Sequence, residues 1–159
     1  DWPEFNEKLI DNKLEKEMSS AMELASVIHA LRKQAGVKVR IPLKKLSYKG
    51  SIELPKDIEK IVLDEVNVYS ISYEGKNEQD NYSVIGDTTE KNQDIKAGEA
   101  RDIIRKIQGE RKLLGTKLNE KVNAVLESWP VEFEEEIKKK ALINNLEKGK
   151  EFKVTKIQS

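Results

Sequence analysis

Residues 32–49, RKQAGVKVRIPLKKLSYK, hold seven Lys or Arg and no Asp or Glu. The chemistry this allows is charge neutralisation of a polyanion. The chain as a whole is balanced, with 29 basic against 29 acidic side chains, so any attraction for a nucleic acid must come from a local patch and not from net charge. Arg32, Lys33, Lys38, Arg40, Lys44, Lys45 and Lys49 can each offer a charge to a phosphate. The ring of Tyr48 can stack on an unpaired base. The competing reading is that lysines along an exposed strand solubilise it and guard its edge.

Other chemistry is hard to place. His29 is the single histidine and there is no cysteine, so the chain lacks the partners that a zinc site or a nucleophile–base pair needs. His29 falls on the apolar side of a helical pattern, which suits a structural hydrogen bond. Glu132, Glu134, Glu135 and Glu136 occupy the first turns of an expected helix, where they complement its dipole. Neither G-x-x-x-x-G-K-[ST] nor G-x-G-x-x-G occurs. No catalytic residue and no metal ligand is assigned.

The elements that must position the basic residues follow from periodicity. Val37, Val39, Ile41 and Leu43 alternate with Lys38, Arg40, Pro42 and Lys44, which predicts a strand with one apolar and one cationic face. Pro42 cannot donate to a ladder, so this strand is expected at a sheet edge or to break there. Before it, Leu14, Met18, Ala21, Ala25, Ile28 and Arg32 recur at helical spacing over 14–34, closed by Gly36. Residues 1–12, with Trp2, Pro3 and Phe5, read as an irregular lead-in, the cut end of a larger protein. After the basic stretch, Pro55 opens a second helix bearing Ile58, Ile61 and Val62, with Asp57 and Glu59 near its positive end. Tyr69, Ile71 and Tyr73 then alternate as a strand. Residues 74–96 turn polar and read as an exposed connector, with 82–85 a short strand at most.

The order then begins again. Residues 98–114 predict a helix with Ala100, Ile104, Ile107 and Leu114 on one side, 117–127 a strand, Pro130 the start of a helix along Phe133, Ile137 and Ala141, and Phe152 with Val154 a last strand. Arg32-Lys33 and Arg111-Lys112 are 79 residues apart, and the same offset carries Ala21 to Ala100, Ala25 to Ile104, Ile28 to Ile107 and Gly36 to Gly115. This is an internal repeat. The expected fold is α+β, two related helix-strand-helix-strand units joined by a polar connector, with bounds 1–13 lead-in, 14–75 first unit, 76–97 connector and 98–159 second unit. The long helices should cover the apolar sheet faces. The offset places Arg40 on Asn119, Ile41 on Glu120 and Lys44 on Asn123, so polyanion contact is expected in the first copy and little in the second. Arg32 and Arg111 recur on the apolar side, four residues after Ile28 and Ile107, and are expected to be anchors whose guanidinium groups find carboxylates or carbonyls.

With 159 residues, 36% of them charged, the chain can bury one or two small cores. No apolar run approaches the roughly 18 residues of a spanning helix, and DWPEFNEKL lacks the parts of a signal peptide. A cytoplasmic protein with no membrane partner is expected.

Four ordered strings carry a resemblance. DWPEFNEKLIDNKLEKEM, ALRKQAGVKVRIPLKKL, LDEVNV and GEARDIIRKIQGERKLLG closely resemble, in that order, the C-terminal end of isoleucyl-tRNA synthetases of the long-tailed type. The resemblance covers nearly the whole chain apart from the connector. It implies that residues 2–35 are similar to the end of the helical anticodon-binding domain and that the rest is the appended C-terminal domain. It implies a class I, ATP- and Mg-dependent isoleucine–tRNA ligase as parent, with a tail that helps hold the anticodon end of the isoleucine tRNA. Adenylation, transfer and editing then belong to upstream domains, which are the other expected partner. No HIGH-like motif is present, and residues 45–49, KLSYK, share only Lys45 and Ser47 with the KMSKS signature. The fragment alone is expected to be inactive and to hold no cofactor. Two alternatives stand beside this reading: a non-catalytic module that stabilises the synthetase or docks other proteins, and the equivalent region of a sister enzyme such as valyl-tRNA synthetase.

Overall fold

The computed structural model describes residues 11–157, and the expected lead-in lies almost wholly outside them. Asp11 opens helix α1 (Asn12–Ala35) by accepting the backbone N–H groups of Lys13 and Leu14, each at 3.0 Å. This satisfies two of the donors that a helix start leaves open. Ala21, Ile28 and Arg32 are buried along one stripe of α1 as the spacing predicts, joined by Leu24, while Met18 and Ala25 are half-buried and Leu14, at the start of the expected stripe, is exposed. The helix ends at Gly36, whose φ of 69° is left-handed. The Val37 N–H then reaches back to the Arg32 carbonyl at 2.9 Å, closing the end of the helix.

The first unit adds β1 (Leu43–Lys49), α2 (Lys56–Val66), β2 (Val68–Tyr73) and β3 (Ser83–Ile85). β1 is the central strand of its sheet, parallel to β2 and antiparallel to β3. Pro55 and the acidic first turn start α2, and Asn67 stops it at φ 54°. Leu24 and Ile28 of α1, Ile58 and Val62 of α2, Leu46 and Tyr48 of β1, and Ile71 of β2 share one core.

The second unit comprises α3 (Ile95–Leu113), β4 (Val122–Leu126), a 3-10 turn (Val131–Phe133), α4 (Glu134–Ala141), β5 (Ile143–Lys148) and β6 (Lys153–Lys156). β4 is again central, parallel to β5 and antiparallel to β6. Ile104, Ile107, Val122, Ala124, Leu126, Ile137 and Val154 form its core. The left-handed Leu142, φ 54°, takes the place of Asn67. These two residues are 75 apart and not 79, so the second copy lacks four residues, about one helical turn. The protein is α+β, and both units share one strand order.

Four expectations are corrected by the structure. Residues 37–42 form a turn and not a strand, and β1, which starts only at Leu43, is central and not an edge. The backbone there is satisfied from outside any ladder. Arg32 donates to the Lys38 carbonyl at 3.3 Å, the Asn67 side chain donates to the Val39 carbonyl at 2.6 Å, and the Pro42 carbonyl accepts from Asp94 N–H at 2.8 Å. Residues 117–121 are likewise a turn, so the strand expected over 117–127 shortens to β4. β5, sequence INNLEK, is a strand that periodicity does not predict, because its amides and charges carry no apolar alternation. The connector is not simply exposed: the short strand allowed over 82–85 forms as β3, and Tyr82 before it is buried in the first core. It also ends early, since Asp94 caps α3 through the Ala97 N–H.

Residues 40–42 pack with residues 94 onward and belong to the second unit. There Ile41 lies against Gly98, where a Cβ would meet it at 2.9 Å. Arg101 donates to the Arg40 carbonyl at 3.1 Å.

Candidate nucleic-acid interface

The eight residues singled out for polyanion binding fall into three groups. Arg32 and Tyr48 are removed from the surface. Arg32 is 1% exposed, and its guanidinium is spent on the carbonyls of Lys38 and Asn67, the latter at 2.6 Å. Burial pulls its pKa below the usual arginine range, but an arginine starts so far above neutrality that it keeps its charge. Tyr48 is 0% exposed, and its ring lies 5.3 Å from that of Tyr73 and 6.1 Å from that of Tyr82. Its hydroxyl accepts the Leu54 N–H at 3.0 Å, and burial pushes its pKa up. A ring held this way cannot stack on a base. The reason is register: Tyr48 shares the β1 face of Leu46, which the helices cover.

Arg40 and Lys44 are engaged. The Nε of Arg40 sits 2.6 Å from the Asp102 carboxylate within the second unit. Lys44 donates from Nζ to the Lys91 carbonyl at 3.1 Å. Asn92, in the 3-10 turn Glu90–Asn92, clamps the backbone of Lys45 from both sides, accepting from its N–H at 3.1 Å and donating to its carbonyl at 2.8 Å.

Lys33, Lys38, Lys45 and Lys49 remain. Lys33 and Lys38 are exposed at the end of α1 and on the turn that follows. Lys45, Ser47 and Lys49 alternate on the face of β1 that the helices leave open. Ser70 and Ser72 of β2 and Ser83 of β3 are their register partners. Ser47 and Ser72 share a hydrogen bond at 2.9 Å, and Ser72 donates onward to the Glu74 carboxylate at 3.1 Å. This face therefore presents two ammonium groups among hydroxyls, donors suited to phosphate oxygens.

His29 lies 3.7 Å from Glu65 on α2. Its repeat equivalent Gln108 donates to the Lys140 carbonyl on α4 at 3.3 Å. Both tie the long helix of a unit to the short one. Among the described residues no group of three or more acidic or histidine side chains is placed to hold a metal ion. No described helix is long and apolar enough to cross a membrane.

Arg111 matches Arg32. It is 7% exposed and donates to the carbonyls of Lys117 at 3.2 Å, Leu118 at 3.4 Å and Glu120. The expectation of two anchors holds, with carbonyls as the partners. Residues that sequence reasoning passes over lie on the turn Arg111 holds: Lys112, Lys117 and Leu118. The signal is present, since the 79-residue offset carries Lys33, Lys38 and Val39 onto them. The loss of charge at Asn119 and Asn123 masks it.

No family model matches the chain. Curated isoleucine–tRNA ligases do. That of Bacteroides fragilis is 34% identical over 76 residues, 45% of this chain and 7% of the relative. That of Picrophilus torridus is 36% identical over 72 residues, also 45% and 7%. That of Methanopyrus kandleri is 39% identical over 59 residues, 37% of this chain and 5% of the relative. The chain thus spans a small part of the length of the relatives it matches, and over a little under half of itself it is similar to isoleucine–tRNA ligases.

Proposed function

We propose that this chain is the C-terminal portion of an isoleucine–tRNA ligase and that it helps hold the anticodon end of the isoleucine tRNA, while ATP- and Mg-dependent aminoacylation is carried out by upstream class I domains. The observation that carries this is the pairing of similarity to isoleucine–tRNA ligases with a surface of donors suited to phosphate. Lys33 and Lys38 on the turn, with Lys45 and Lys49 on the open sheet face, supply phosphate contacts in the first unit. By this reading the fragment has no catalytic activity alone and acts in the cytoplasm, where the tRNA is charged.

A titration of the full chain with labelled isoleucine tRNA and an unrelated tRNA tests it. Tighter binding of the isoleucine tRNA, with a negative slope of affinity against salt, is the expected result. Equal binding of the two would leave only nonspecific RNA contact, and binding of neither would refute the reading. A second reading, a non-catalytic module that docks protein, is favoured by the exposed Leu113 and Leu118.

A further inference from the structure

Both units build the same turn. In each, a helix ends in Arg-Lys-x-x-Gly, the glycine is left-handed, and the residue after it bonds back to the arginine carbonyl, Val37 at 2.9 Å and Thr116 at 3.1 Å. The arginine folds under the turn and takes its carbonyls. With carbonyls drawn inward by Arg111, the side chains of Lys117 and Leu118 are turned out. Leu118 is 95% exposed, more than any other large hydrophobic residue among those described. It contributes nothing to the core, and Val39, at the same place in the first unit, is exposed too. An apolar residue thus stands outward at the same place in both units, its carbonyl taken by the Asn67 side chain in the first and by Arg111 in the second.

The charge around this turn selects the partner. Among the described residues, the first unit carries 12 basic against 14 acidic side chains and the second 16 against 12. The cationic unit is therefore the second, opposite to the impression given by residues 32–49. Lys112, Lys117 and Lys121 are exposed and form no ion pair among the described residues. The neighbouring carboxylate of Glu120 is turned to the Lys117 N–H at 2.8 Å. Lysines that flank an outward leucine fit a ligand that offers phosphates beside an apolar face. An unstacked RNA base on its own backbone is such a ligand.

We infer that the turn held by Arg111 is a second RNA-contact surface, with Lys112, Lys117 and Lys121 on phosphates and Leu118 against an unpaired base of a loop. This rests on the reading of the chain as an RNA-binding one.

The test uses the full chain and fluorescence anisotropy with two probes, an RNA hairpin with an unpaired loop and a blunt RNA duplex with the same number of phosphates. The variant K112A/K117A/K121A should weaken both and flatten the salt dependence by up to about 0.7 to 0.9 in log-log slope for each phosphate left without its lysine. Leu118→Ser should weaken the hairpin about fivefold, the effect of losing partial burial of one leucine, and leave the duplex unchanged. All four side chains point to solvent, so circular dichroism melts should match those of the wild type. If these variants bind like the wild type while K33A/K38A/K45A/K49A loses affinity, the inference is overturned and the RNA reading stands. If the wild type binds neither probe nor tRNA at low salt, both fall. If RNA binding is untouched but an acidic amphipathic peptide is captured by the wild type and lost in Leu118→Ser, the surface belongs to a protein partner and the inference is again overturned.

Discussion

Replacing Arg111 by Lys removes a planar fork and leaves a point charge. In the wild type, two terminal nitrogens of Arg111 reach three carbonyls of one turn, those of Lys117, Leu118 and Glu120. A lysine ammonium has a single nitrogen on a thinner stem and can serve one of these well at best. A hydrogen bond from a charged donor contributes about 1.5 to 3 kcal/mol net, and a buried acceptor left unpaired costs about 1 to 3 kcal/mol. Removing two of the three hydrogen bonds at the lower end of that range, with some relaxation of the turn toward water, gives a destabilisation of roughly 2 to 3 kcal/mol. For a unit of this size 1 kcal/mol corresponds to about 4 to 8 °C in Tm. A fall of about 8 °C or more is therefore expected. The assay is thermal denaturation followed by Trp129 fluorescence in a Trp2→Phe background, because Trp129 packs against the second core and reports on that unit. Arg111→Met is the companion variant: it keeps the apolar stem but leaves all three carbonyls without a donor, and should fall at least as far. A melting temperature within about 2 °C of the parent for both variants would falsify the reading of Arg111 as an anchor, and with it the account of why Leu118 is held outward.

Three further outcomes are expected. Tyr48→Phe keeps the buried ring but strands the Leu54 N–H, which should cost about 1 to 2 kcal/mol in denaturant titrations; unchanged stability would show that this N–H has another partner. Gly50→Ala places a Cβ into the ring of Tyr82, whose hydroxyl is held by the Ile52 carbonyl at 3.3 Å, so a loss of about 1 to 3 kcal/mol is expected, against the gain that removing a glycine otherwise brings. Glu134 is held below the usual carboxylate range by hydrogen bonds from Lys138 at 2.5 Å and from Trp129 at 2.9 Å. Its folded pKa being the lower one, the stabilisation is present above the unfolded value and is lost as pH falls through the folded value. Trp129 emission should therefore change at acid pH, and Glu134→Gln should abolish that change.

The local devices of this protein are legible in its sequence, because they depend on neighbours a few residues apart. The stripe on α1, the left-handed glycines at 36 and 115, the proline before α2, and the 79-residue repeat with its buried arginines all follow from spacing. What the sequence could not show is where the backbone of residues 37–42 finds its hydrogen bonds. Alternating Val37, Val39, Ile41 and Leu43 reads as a strand, but Asn67, 28 residues past Val39, claims that segment as a turn. This displacement moves the strand to Leu43–Lys49 and decides which side of β1 each residue faces. Tyr48 goes into the core and Lys45 and Lys49 to the open face as a result. One strand was hidden for a related reason: β5 is held by pairing with the central strand β4 about twenty residues earlier in the sequence, and its own residues carry little alternation. The partition of charge was decided only in part by packing. Composition balances at zero, but residues 94–157 are basic even when the chain is cut in sequence order, and the tertiary grouping adds one more charge to that unit by taking Arg40 into it. Spacing along a chain sets which residues share a face of their own element; which faces are covered, and by what, is set by packing that closes over long loops.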